Sequence, residues 1–196
     1  MSPPTTEDRV LRAVLANPVN GALLSSLTDA LLPNWYLTAG CVCQSVWNAL
    51  TGRDPQYGID DYDVFYFDDG DLSYEAEDRA IRRTLAALGP LPGVDIEIRN
   101  QARVHLWYET RFGTPCAVLQ SSEDGIDQFL TRSMSVGIRR GGDGALAIYA
   151  PAGLDDVLNF TIRPNVAPGR ADRYAAKAAS WVRRWPELTV LPWPVE

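Results

Sequence analysis

The sequence predicts an α+β fold built on a mixed β-sheet with flanking helices. Three observations carry that expectation. Residues 94–98, V-D-I-E-I, alternate apolar and acidic side chains at the two-residue period of a half-buried strand. Residues 62–67 are apolar on both faces, as in a covered interior strand. Helical spacing lies between them, and a strand, helix, strand order favours a right-handed crossover within one sheet. With 196 residues and 46% apolar content, the chain is expected to form one domain, 1–196. Its parts are a helical segment at 1–33, a central core at 35–110 and a C-terminal part at 120–196.

The first thirty-odd residues read as two helices. Thr5 or Thr6 caps the first, whose apolar face is Val10, Leu11, Val14 and Leu15, and Asn17 and Pro18 stop it. Leu23, Leu24, Leu27, Leu31 and Leu32 give the second a similar stripe as far as Pro33. Residues 35–38 form a short strand that delivers Gly40 to a third helix, with Val42, Val46, Ala49 and Leu50 on one face. After the strand at 62–67, the acidic run at 68–71 marks an exposed turn. Ser73 then caps a helix with Glu75 and Glu77 in its first turn and Arg79, Arg82 and Arg83 later, each sign matched to the helix dipole. Gly89, Pro90, Pro92 and Gly93 end it before the strand at 94–98.

Further on, residues 122–130 are read as a helix, and 134–139 and 145–150 as strands joined by the G-G-D-G turn. Residues 153–160 read as a short helix and 163–170 as a loop over the substrate. A closing helix at 171–185 has Tyr174, Ala178, Trp181 and Val182 inward. Trp107 and Tyr108 are read as core residues, with base stacking as the alternative.

Charge bears on partners. Eighteen basic against 25 acidic residues leave a net charge of −7, which argues against a general nucleic-acid binder, since such proteins neutralise phosphates with clustered Lys and Arg. An acceptor substrate is therefore expected to be a small molecule or a protein. Lys177 is the only lysine, so phosphate contacts fall to arginine forks, with Arg99, Arg103, Arg132, Arg139 and Arg163 as candidates. No stretch has the roughly 18 to 20 uninterrupted apolar residues of a membrane span, and a secretory pattern is absent, so a cytoplasmic protein without membrane contact is expected. Cys41 and Cys43 are too close for a bridge between them and lack further zinc ligands, so small buried residues are expected there.

The chemistry concentrates at residues 37–67. Asp61 and Asp63 are two positions apart, so on a strand they share a face and can grip one cation. Without that cation they would repel each other. Mg²⁺ suits them, with Mn²⁺ as its substitute, because it takes oxygen ligands and bridges to phosphates. The competing reading is an Asx turn ahead of a strand. Asp95 and Glu97 fall on one face of the later strand, so either can supply a third carboxylate as ligand or base. His105, the only histidine, is a candidate general base near neutral pH or a local structural residue.

A Gly-turn-helix followed by h-D-h-D-h-h-h and a later-strand carboxylate resembles the nucleotidyltransferase superfamily of the DNA polymerase β type. More closely, A-G-C-V-C-Q-S-V-W-N-A-L, D-Y-D-V-F-Y-F-D, E-I-R-N-Q-A-R-V-H-L-W-Y and A-P-A-G-L-D-D-V with R-P-N are similar to a bacterial nucleotidyltransferase-like protein family of unknown function. The resemblance spans 37–165 and implies a polymerase β-like core. It implies that Gly40 and Cys41 begin a loop and helix whose amides hold nucleotide phosphates. It also implies metal binding by Asp61 and Asp63, with Glu97 at the later-strand acid and Asp95 as its competitor. The superfamily usually follows that Gly with Gly or Ser; Cys41 withholds a hydroxyl contact to phosphate. The expected activity is Mg-dependent transfer of a nucleoside monophosphate from an NTP to an acceptor hydroxyl, releasing pyrophosphate. The alternatives are a catalytically silent nucleotide- or partner-binding module on the same fold and, third, a metal-dependent phosphoesterase.

Overall fold

The computed structural model describes residues 3–167 and 170–194. Its centre is a five-stranded mixed sheet in the order β3-β2-β1-β4-β5. The strands are β1 (Tyr36–Thr38), β2 (Tyr62–Tyr66), β3 (Ile96–Asn100), β4 (Gly137–Arg140) and β5 (Leu146–Tyr149). β2 and β3 pair in parallel, and the other neighbours are antiparallel. β2 lies inside the sheet, hydrogen-bonded on both edges as expected, but only its Tyr62, Val64 and Tyr66 face is buried, while Asp63 and Phe65 on the other face are half-buried.

Helix α1 (Thr6–Leu15) starts with a capping box between Thr5 and Asp8, and Val10 and Val14 are its buried stripe. Helix α2 (Pro18–Ser26) begins where Asn17 accepts the amides of Val19 and Asn20 and Pro18 takes the first turn. It ends at Ser26, short of the expected stop at Pro33. Leu27 and Leu32 are still buried: Leu27 is the C-cap, its amide on the Leu23 carbonyl, and Leu32 sits in a turn closed on the Thr28 carbonyl. The leucine spacing recorded burial that continues past the last turn of the helix.

Helix α3 (Gly40–Thr51) is buried from Gly40 to Asn48, so it has no single apolar face, and Ala49 and Leu50 lie at the exposed end. It runs between the sheet and the outer helices, where Trp47 meets Trp181 and Trp185 edge-on at 5.1 and 5.5 Å. The indole N–H of Trp47 donates to the Val157 carbonyl, and that of Trp185 to the Asn48 carboxamide. The three cysteines are free, with Cys41 and Cys43 fully buried.

Helix α4 (Tyr74–Leu88), capped by Ser73 and ended at Gly89, links β2 to β3. β3 starts two residues later than expected, because the Val94 amide closes a turn on Leu91 and pairing with β2 runs from Ile96 to Asn100. A 3₁₀ helix (Gln101–Leu106) and α5 (Tyr108–Phe112) follow. Then come α6 (Ser122–Asp127), the β4–β5 hairpin, α7 (Asp155–Leu158) and α8 (Ala171–Arg184). The expected helices at 122–130 and 153–160 are thus each shorter, and α5 has no counterpart in the sequence-based reading. Nor does the parallel pair of β6 (Thr161–Ile162) and β7 (Thr189–Val190), two residues each and so below any readable period. The loop expected at 163–170 includes Pro168 and Gly169, which lie outside the described residues. Among the described residues no helix is long and apolar enough to cross a membrane.

Candidate functional site

Alternation along β2 sends Tyr62, Val64 and Tyr66 into the core and leaves Asp63 and Phe65 on the opposite face. Glu97 and Arg99 take the same face on β3. The parallel register sets Asp63 directly beside Glu97, and Thr38 of β1 flanks Asp63 on the other side. Asp61 stands just before β2, at its entrance. The loop carrying it is tied down from three directions. Asn17 donates to the Pro55 carbonyl (3.0 Å) and the Tyr62 hydroxyl (3.1 Å), Asn48 donates to Tyr57 (2.8 Å), and Arg184 of α8 pairs with Asp60 (2.8 Å).

These acids are electrostatically unsatisfied. Burial above all, then the charges of Asp61 and Glu97, push the Asp63 carboxyl up to about 7, while Lys177 and Arg99 pull against the shift. Burial likewise raises Asp61, with Lys177 opposing and Glu97, Asp60 and Asp95 adding to it. Asp95 is exposed and contributes its carbonyl to the Tyr62 amide.

Asp63 and Glu97 form one wall of a cleft of about 270 Å³. The 3₁₀ helix and α5 supply an aromatic wall of Trp107, Tyr108 and Phe112, with Tyr108 and Phe112 centred 4.7 Å apart. Phe65 and Phe129, also in the lining, stack at 5.3 Å. Gly125 of α6 allows the buried Gln101 side chain to cross the cleft floor. A Cβ there would lie 2.2 Å from the Gln101 Oε1. The remaining charges are basic: Arg99, Arg111, Arg173 and Lys177.

The expected site residues therefore divide. Asp63, Glu97 and Arg99 share the cleft, with Asp61 beside them, and Glu97 rather than Asp95 lines it. Arg99 is 3.2 Å from Glu97. Gly40 and Cys41 are buried at the start of α3 and outside the lining. The Cys41 thiol donates to the Thr38 carbonyl at 3.1 Å, and burial, reinforced by the charge of Asp63, pushes its pKa well up. Arg103 turns away: its guanidinium forms an ion pair with Glu77 of α4 and donates to the Leu72 carbonyl. His105 is half-buried outside the lining, with Nδ1 unpartnered. Arg139 pairs with Asp29, Arg163 grips Asp156, and Arg132 lies at a separate hollow with Asp127 and Ser135. Trp107 and Tyr108 are half-buried cleft residues, not core residues.

Lys177, Arg173 and Arg111 were missed. The available signal was slight: a lone lysine four residues after an arginine, on the half-exposed side of a helix whose Tyr174, Ala178 and Trp181 point inward.

The donor set suits Mg²⁺ or Mn²⁺. It consists of carboxylates in a partly buried position whose mutual repulsion a hard cation would relieve. Among the described residues no three His, Cys, Asp or Glu side chains already form a metal-holding cluster, so ligation by Asp61, Asp63 and Glu97 together requires them to turn toward one another.

A family model described as Nucleotidyltransferase matches residues 25–190, which include every one of these groups. A solved NMR structure, described as revealing a CCA-adding enzyme head domain, is similar at a TM-score of 0.74 and 25% identity over 98% of each chain. No curated protein matches the chain significantly.

Proposed function

From the chain's membership of the nucleotidyltransferase family, we propose that it transfers a nucleoside monophosphate from an NTP to an acceptor hydroxyl and releases pyrophosphate. The observation that carries this reading is the cross-strand pair of Asp63 and Glu97, facing a cleft whose other walls are aromatic and basic. Asp61, Asp63 and Glu97 would hold Mg²⁺, or Mn²⁺ in its place. When bound, the ion lowers the pKa of the acceptor hydroxyl and offsets charge on the leaving phosphates. Trp107, Tyr108 and Phe112 offer π-faces for a base, and stacking is tolerant of base identity. Phe65, Phe129 and Met134 give part of the lining an apolar surface.

The acceptor is taken to be a small molecule or a protein, because the chain carries −7. The structural neighbour is described as the head domain of a CCA-adding enzyme, so an acceptor of the kind such an enzyme extends belongs in the same screen.

The test is calorimetric titration of ATP, GTP, CTP and UTP with Mg²⁺ into the wild-type chain and into Asp61→Asn/Asp63→Asn. Binding that needs the metal and disappears in the double variant is the expected result, followed by transfer from α-labelled NTP. A second reading, the silent binding module, draws on Cys41, whose thiol is turned back onto Thr38, and on Glu97, which is already tied to Arg99. It predicts NTP binding without pyrophosphate release.

A further inference from the structure

We propose that the phosphate tail of the nucleotide is gripped by Lys177 and Arg173 of α8 together with Arg111 of α5, a polyphosphate subsite made of side chains in the cleft that Asp63 and Glu97 also line. The proposal deepens the nucleotidyl-transfer reading and takes the identity of the whole ligand from it, but the grip on phosphate stands on its own geometry.

Lys177 and Arg173 are one helical turn apart on α8, so they project from the same side of it, and both line the cleft with Arg111. Among the described residues seven ion pairs tie up cations elsewhere and an eighth joins Arg99 to Glu97 in the cleft, and none of these three takes part in one. In a chain with seven excess acids, three cations that form no ion pair, gathered in one concavity, mark a place for an external anion, although the Lys177 charge also acts on Asp61 and Asp63. Aromatic rings fix where they stand. The Arg173 guanidinium lies 4.0 Å from the Phe112 ring centroid and bonds the Tyr108 hydroxyl at 3.2 Å. That of Arg111 lies 5.5 Å from the Phe112 centroid, and the Lys177 ammonium lies 5.2 Å from that of Trp181. Such stacking holds a cation without neutralising it, so its donors stay free for phosphate oxygens.

The start of α3, the competing phosphate holder, is closed: Gly40 and Cys41 are buried outside the cleft lining. Three positive charges in so small a cleft suit the several adjacent negative charges of a triphosphate better than a single carboxylate.

The probe is inorganic tripolyphosphate, titrated without metal into the folded chain. Wild type is expected to bind, and Lys177→Gln and Arg173→Gln each to weaken binding at least about tenfold, the loss of one charge-assisted contact. Lys177→Arg should restore most of it. Arg82→Gln, which removes an exposed charge from α4, should leave it unchanged. Because Lys177 is the only lysine, pyridoxal phosphate modification of the wild-type chain, located by peptide mass, gives a reading free of variants. Tripolyphosphate should slow labelling at Lys177. Equal affinity in the glutamine variants, absence of binding to the folded chain, or unprotected labelling would each overturn the proposal. Tripolyphosphate binding with no nucleotidyl transfer would sink the proposed activity and leave this subsite standing.

Discussion

Because burial and the charges of Asp61 and Glu97 push the Asp63 carboxyl up to about 7, the folded chain keeps a proton there that the unfolded chain releases near about pH 4. The folded state binds more protons across that interval, so this residue's contribution to stability is full at acid pH and is lost as pH rises toward 7. The loss is at most about 1.4 kcal/mol per pH unit. Calorimetric melting in metal-free buffer should therefore show Asp63→Asn gaining on wild type between pH 5 and pH 8. Parallel curves would mean that Asp63 is well solvated. Asp61 stands half-buried at the strand entrance with its carboxyl raised by burial, so Asp61→Asn removes an unfavourable charge and should abolish turnover while leaving the melting temperature within a few degrees. A collapse of the fold instead would make Asp61 a structural turn residue. Both acids were legible because i, i+2 spacing on a strand needs no knowledge of the fold. Cys41 was legible as a departure, but its thiol contact with Thr38 required the local backbone.

At the scale of elements, Arg103 shows how a motif can mislead. It lies in a block that looked site-like, yet the 3₁₀ helix aims it at α4, where Glu77 accepts its charge and also the Asn100 amide. Arg103→Ala would leave Glu77 partly buried and unpaired, at a cost on the order of 3 kcal/mol in urea unfolding. Its NTP affinity should match wild type; a lower affinity in a fully folded variant would return Arg103 to the site. The capping residues of α1 and α4 and the buried stripes of α1 and α8 are where the sequence read well. It failed at the end of α2, where buried leucines sit in turns, and in α3, which is enclosed on all sides and so has no polar face to report.

For the whole molecule, the cleft joins elements from the middle and the end of the chain: β2 and β3, α5, α6 and α8. A ligand that bridges them should stabilise the assembled state by mass action. Mg²⁺ with a preferred NTP at a hundredfold excess over Kd adds about 2.7 kcal/mol, which for a chain this size raises the melting temperature by roughly 5–10 °C. Differential scanning fluorimetry should register that rise in wild type, and Asp61→Asn/Asp63→Asn should lack it. An equal rise in the double variant would place the nucleotide elsewhere.

By itself the sequence determined the α+β class, the strand, helix, strand unit that carries Asp61, Asp63 and Glu97, and the family likeness. The first two rest on two- and four-residue periodicities, which are properties of local backbone geometry, and the likeness rests on contiguous blocks of residues. Only the tertiary structure decided that Glu97 rather than Asp95 lines the cleft beside Asp63, that Arg103 is consumed by Glu77, and that Lys177 and Arg173 line the same cleft as the carboxylates. Strand register and the docking of α8 through Trp47, Trp181 and Trp185 set those positions. Both depend on contacts between segments distant in the chain, which no local pattern encodes.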